Sequence, residues 1–148
     1  MWKCPSLLPG FLCVEITELV VPSVVESGSE PWVDLSCRFS YNESERKQLD
    51  IKWYFNENVT PFLQWIPSSG RKPQIIGDDP FGGRLELRKL NKRTRRKDGA
   101  NHWSQNVRVR RPTSELSGNY TCRVSTLEID RTRRKNMIVY GERCPTIF

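Results

Sequence analysis

The stretch SGNYTC, Ser117 to Cys122, places a tyrosine two residues before a cysteine and a glycine two residues before that tyrosine. Successive side chains of an extended strand point to opposite faces, so Tyr120, Cys122 and Val124 share one face and Asn119, Thr121 and Arg123 the other. Two earlier stretches carry the same alternation. In VDLSCRF, the residues Val33, Leu35, Cys37 and Phe39 fall together; in IKWYF, Ile51, Trp53 and Phe55 do, with Lys52 and Tyr54 pointing away. An early inward cysteine, an inward tryptophan and a late inward Tyr-x-Cys, in that order, leave few architectures open.

The rest of the chain reads as strands and turns. VEITELVVPSVVESGSEPW is an extended edge strand that Pro22 interrupts, which suits a first strand that kinks or switches sheets, because proline cannot donate to a central ladder. PFLQWIP is a short aromatic strand, and the Gly- and Pro-rich SSGRKPQIIGDDPFGG is loop or irregular edge. The basic run Arg84 to Lys97, followed by the turn dipeptide Asp98-Gly99, reads as a long hairpin or loop. Trp103, Gln105, Val107 and Val109 align on one side of a further strand, and RTRRKNMIVYG supplies the last one. Seven or more short alternating strands without a convincing helix predict an all-β, two-sheet antiparallel sandwich.

The constellation Cys37, Trp53, Tyr120 and Cys122 resembles the immunoglobulin arrangement. That resemblance implies a disulfide between Cys37 and Cys122 across the two sheets, with Trp53 packed on it. It also implies a Tyr120 hydroxyl bonded back to the preceding corner and Gly118 in the tight turn before it. These residues hold a sandwich together and do no chemistry. The two cysteines are 85 residues apart, a length that favours a variable-type sandwich with extra middle strands and an insertion in the basic run.

Within 148 residues there is room for one such domain with tails. Residues 1–13 are read as a degenerate or truncated leader or, alternatively, an unstructured N-terminus, 14–140 as the domain, and 141–148 as a tail or the start of a second domain. Five cysteines (Cys4, Cys13, Cys37, Cys122 and Cys144) include no C-x-x-C pair, and His102 is the single histidine, so the ligand spacing of a zinc site is missing. Cys144 has three readings: a bond within a second domain, a bond between two chains, or a bond to Cys13. Three N-x-[ST] sequons, at Asn42, Asn58 and Asn119, together with a disulfide point to a secreted or cell-surface protein. No stretch reaches the roughly 20 apolar residues of a membrane span.

Three blocks narrow the reading. IKWYFN, LQWIPSSGRKPQIIG and RPTSELSGNYTCRVST, in that order, resemble the first immunoglobulin domain of the arthropod beaten-path family over roughly Val14 to Tyr140. The resemblance implies a cell-surface or secreted module of axon guidance, bearing a second immunoglobulin domain and binding Sidestep-type receptors of the same superfamily. The expected binding face is the outer side of one sheet, with Tyr54, Trp65, Arg123 and Tyr140 as candidates; outward aromatics mixed with arginine are enriched at protein interfaces. An inward orientation of Trp65 and Tyr140 is the alternative reading.

The net charge of +7 is local: Arg84 to Lys97 holds eight Lys/Arg and one Glu, and the remainder balances. This gives a competing function, binding of a sulfated, heparan-sulfate-like polysaccharide through Arg84, Arg88, Lys89, Lys92, Arg93, Arg95, Arg96 and Lys97, driven by counterion release. A nucleic-acid partner ranks last, because cysteines and sequons suit an oxidising compartment. No nucleophile elbow, phosphate-cradling loop or metal spacing is present, so neither an enzyme nor a cofactor is expected.

Overall fold

A computed structural model describes residues 13–76, 81–89 and 103–141. Among the described residues, ten strands run in the order β1 (Glu15–Val20), β2 (Val24–Glu26), β3 (Trp32–Ser40), β4 (Asp50–Phe55), β5 (Leu63–Trp65), β6 (Gln74–Ile75), β7 (Leu85–Lys89), β8 (Trp103–Arg110), β9 (Gly118–Ser125) and β10 (Asp130–Tyr140). One sheet has the order β1-β3-β8-β7, and the other β2-β10-β9-β4-β5-β6.

Pro22 falls where the chain leaves one sheet for the other. Before it, β1 pairs antiparallel with β3; after it, β2 lies parallel to β10, with Val24 opposite Ile138 and Glu26 opposite Tyr140. A residue without an N–H suits the step between two ladders. The basic hairpin is also seen at both its roots, since β7 and β8 pair antiparallel with Lys89 opposite Trp103. Positions 90–102 lie outside the described residues.

The alternations converge on one core. Val33, Leu35, Cys37 and Phe39 of β3 face Ile51, Trp53 and Phe55 of β4 and Tyr120, Cys122 and Val124 of β9, all buried. Cys37 and Cys122 are joined, with Cα atoms 6.4 Å apart, and Trp53 sits directly opposite Cys122 in the β4–β9 register. The Tyr120 hydroxyl donates to the Leu116 carbonyl at 2.6 Å, closing the short 3-10 turn Ser114–Leu116 onto the strand that follows it. Burial holds that hydroxyl well above the ordinary tyrosine range, so it stays a donor.

Gly118 has a different task from the one the spacing suggests. The corner is made by Ser114–Leu116, and Gly118 is the first residue of β9. A Cβ there would lie 2.2 Å from Asn56 Oδ1 and 2.9 Å from Phe55 Cε1. Asn56, itself at φ 56°, uses that oxygen to accept the Asn119 N–H at 3.1 Å. Gly118→Ala is therefore expected to cost about 1–3 kcal/mol by overpacking. Asn56→Gly in the same chain should recover part of that cost, because it removes the clashing oxygen and glycine suits the positive φ. Urea unfolding of the four proteins checks this; costs that simply add would assign the effect elsewhere.

Two buried residues come from outside the alternating strands, Phe81 from the Gly- and Pro-rich stretch read as loop and Glu45 from the polar segment between β3 and β4. Phe81, in DPFGG, packs within 4.8 Å of Phe62 and 5.6 Å of Phe55, ring centre to ring centre. Glu45, in the polar stretch after β3, lies buried in a 3-10 helix, Glu43–Gln48. Its Oε1 accepts the N–H groups of Cys13 and Asn42, each at 2.9 Å, so it ties the start of the domain to this helix. Cys13, the last residue of the segment expected as a leader, is buried and disulfide-bonded. Cys4 and Cys144 lie outside the described residues.

Candidate functional site

The two outer faces of the sandwich differ in how far they satisfy themselves. On the four-stranded sheet, Arg108 stacks over the Trp32 ring at 4.2 Å while its Nε donates to Asp34 at 3.1 Å. That large aromatic already has a cation, and the cation has an acid. The six-stranded sheet is more open. Its outward side chains run in rows set by the register: Lys52, Arg123 and Thr132; Tyr54, Thr121 and Arg134; then Asn119 beside Asn136.

Tyr54 and Arg123 meet on this face. Arg123 is paired with Asp130 through both its Nε and a terminal nitrogen, and this pairing, with a hydrogen bond to Tyr54 adding to it, holds the guanidinium even more firmly protonated than usual. Tyr140 projects from the same face but six residues beyond Arg134 along β10, roughly 20 Å away at the rise of a strand. There it joins a separate apolar group: Tyr140 (49% exposed), Ile138 (49%) and Val24 (60%) sit beside one another through the β2–β10 pairing. Ile138 shares the outward phase of Tyr140 by strand alternation, whereas Val24 joins them only through the parallel pairing of β2.

Trp65 does not belong to the face. In β5 it lies opposite Ile51, the inward phase of β4, and is only 4% exposed. A three-residue strand is too short for alternation to fix its phase, and the cross-strand register decides it. The outward member of β5 is Gln64, whose amide donates to both carboxylate oxygens of Asp50 at 3.1 Å.

A hollow of about 460 Å³ opens on the Tyr54 side, lined by Tyr54, Thr121, Thr132, Arg134 and Asn58 among others. Arg134 meets Glu57 at 2.9 Å across its rim. The sequon residue Asn58 is exposed at this rim, Asn119 stands half-buried on the outer face, and Asn42 is half-buried beside the Glu43–Gln48 helix. Of the basic run, Arg84 is engaged within the fold, donating to Thr113 Oγ1 at 2.6 Å with Glu115 3.7 Å away. Arg88 is exposed on β7 and Lys89 is the last residue of that strand. Lys92, Arg93, Arg95, Arg96 and Lys97 lie outside the described residues. Among the described residues no group of three His, Cys, Asp or Glu side chains gathers to hold a metal ion, and no helix is long and apolar enough to cross a membrane.

Neither a protein-family model nor a curated protein matches this sequence. Solved structures do. A VGSC beta subunit studied by photo-crosslinking for its multimeric cell-adhesive interactions is 19% identical, with 82% of this chain and 93% of that one covered and a TM-score of 0.57. The titin M3 domain is 13% identical, with 88% and 100% covered and a TM-score of 0.52. A chimeric titin Z1Z2 is 11% identical, with 87% and 95% covered and a TM-score of 0.52. What these likenesses share with the disulfide-bridged sheets is the architecture, and the chain has an immunoglobulin-like fold.

Proposed function

We propose that this chain is an extracellular recognition and adhesion module, non-enzymatic, that binds another cell-surface immunoglobulin-superfamily protein through the outer face of its six-stranded sheet. The observation that carries the reading is the exposed group Val24, Ile138 and Tyr140, an apolar cluster with Tyr54 and Arg123 further along the same face. Contiguous exposed apolar side chains on an otherwise charged surface mark interaction sites, and tyrosine and arginine are the side chains that most often dominate binding energy. The cell-adhesive interactions of the VGSC beta subunits support the same use of this fold.

The finer reading follows the three sequence blocks: a beaten-path-type protein of axon guidance, secreted or held at the cell surface, with a Sidestep-like ectodomain as its partner. We place a glycan on Asn42, and treat Asn58 and Asn119 as bare in the complex, because a sugar on Asn58 would stand over the hollow beside Tyr54 and one on Asn119 between the apolar cluster and Tyr54. The test is surface binding of the folded, glycosylated chain to a Sidestep-like ectodomain. Tyr140→Ala with Ile138→Asp is expected to weaken binding at least about 30-fold, the effect of losing a hot spot worth about 2 kcal/mol. Trp65→Phe, a buried change, should leave affinity near that of the parent. Absence of any signal for the parent chain removes the partner, and an unchanged affinity of the double variant removes the face.

A further inference from the structure

We infer a second binding site, for a sulfated or carboxylated polysaccharide, along the free edge of β10 at Arg131, Arg133 and Lys135. It does not rest on the recognition reading above, although its outer flank reaches Tyr54 of the same face. β2 pairs with β10 only at Ile138–Tyr140, so among the described residues Asp130–Met137 pairs with β9 on one side and with no strand on the other, where the start of β1 lies alongside without joining the ladder. An edge of this kind presents unpaired backbone donors.

The side chains on that edge are unusual for their phase. Arg131, Arg133 and Lys135 stand opposite Val124, Cys122 and Tyr120, the core-facing residues of β9, yet all three are exposed. They reach past the rim of the facing sheet, where Arg131 Nε donates to the Val14 carbonyl at 3.2 Å. Arg133 and Lys135 have no acidic partner among the described residues. Alternate residues of a strand are about 6.6 Å apart, so the three cations stand in file along roughly 13 Å.

The surface around this file is hollow on both sides. The 460 Å³ hollow on the outer face and a second, of about 280 Å³, between β10 and residues 13–16 share Thr132 and Arg133. They are the two flanks of a single ridge, with Arg133 at its crest. Charge alone would suffice to guard a sheet edge against pairing. The first flank adds a tyrosine ring and the hydroxyls of Thr121 and Thr132, groups that suit the faces and hydroxyls of sugar rings, while the crest supplies cations for anionic substituents. A linear polymer bearing anionic groups on successive rings fits a narrow ridge of cations in file and gains affinity by counterion release; a bilayer would call for a broad, flat basic patch.

The experiment is a salt titration of heparin binding by the full chain. Arg133→Ser with Lys135→Ser removes two exposed cations that have no acidic partner among the described residues, and its urea midpoint reports whether the fold is kept. The double variant is expected to bind heparin at least about fivefold more weakly, with a shallower dependence on salt, as two lost contacts require. Arg71→Ser with Lys72→Ser removes the same charge from the exposed loop before β6 and should stay within about twofold of the parent. Four results would overturn the site: no heparin binding by the parent chain; parental affinity in the Arg133/Lys135 variant; an equal loss in the Arg71/Lys72 variant, which would mean net charge alone; or displacement of heparin by phosphatidylserine vesicles, which would mean a membrane surface.

Discussion

Replacing both Cys37 and Cys122 with alanine is expected to lower the free energy of unfolding by about 4 to 5 kcal/mol, the chain-entropy value for a closed loop of this length. The bridge spans 85 residues, and it acts mainly on the unfolded chain, which the cross-link keeps from expanding. Against the 5–15 kcal/mol typical of a whole domain, this is between a third and nearly all of the stability. The denaturant slope should rise as well, since the uncross-linked unfolded chain exposes more surface. Urea unfolding of the double variant beside the parent, with Cys13 left in its own disulfide, measures both quantities. A loss below about 1 kcal/mol would mean that the unfolded state is already compact without the bridge.

Trp53→Ala is the second large effect. The indole is almost fully buried, lies opposite Cys122 and packs against Phe62 at 6.4 Å between ring centres. Truncating a buried aromatic of this size costs about 3–5 kcal/mol, the spread reflecting how far neighbours collapse into the space. Here collapse is restricted, because Trp53 is flanked on one side by a covalent bridge and on the other by the rigid ring of Phe62, itself backed by Phe81. The cost should fall at the upper end. Lys52→Ala, one residue away on the outer face and paired with Asp50, should change stability by less than about 1 kcal/mol. Thermal or urea unfolding of the two variants checks the contrast, and comparable losses would contradict the inward assignment of Trp53.

Strict alternation made the centre of the fold legible. Val33 through Phe39, Ile51 through Phe55 and Tyr120 through Val124 each span enough residues for a period of two to declare a face, and all three face the core. Trp65 shows where that logic stops: three residues of β5 hold too little pattern, and the Ile51 partnership that buries the indole is a long-range fact. Phe81 and Glu45 were hidden for another reason. Each lies in a stretch whose composition is that of a loop, and each is drawn inward singly, Phe81 by an aromatic cluster and Glu45 by two backbone N–H groups in need of an acceptor. The proposed recognition face was half legible. Tyr54 and Arg123 follow from alternation, whereas the grouping of Val24 with Ile138 and Tyr140 depends on the parallel β2–β10 pairing across more than a hundred residues. The β10 ridge was invisible, since its cations carry a core-facing phase and only the rim of the opposite sheet exposes them.

The short parallel latch of β2 on β10 also decides how the domain carries a load. A pull directed back along β2 and forward along β10 slides the two strands past each other, so their hydrogen bonds bear the force together rather than parting one by one, as a zipper would. Once the latch slips, the strands outside the bridge can peel, but the length of chain between Cys37 and Cys122 stays tied into a loop that cannot lengthen. Tension would then draw out the flanks and leave the Trp53 core closed: a sandwich that yields at its seam and stops at its rivet.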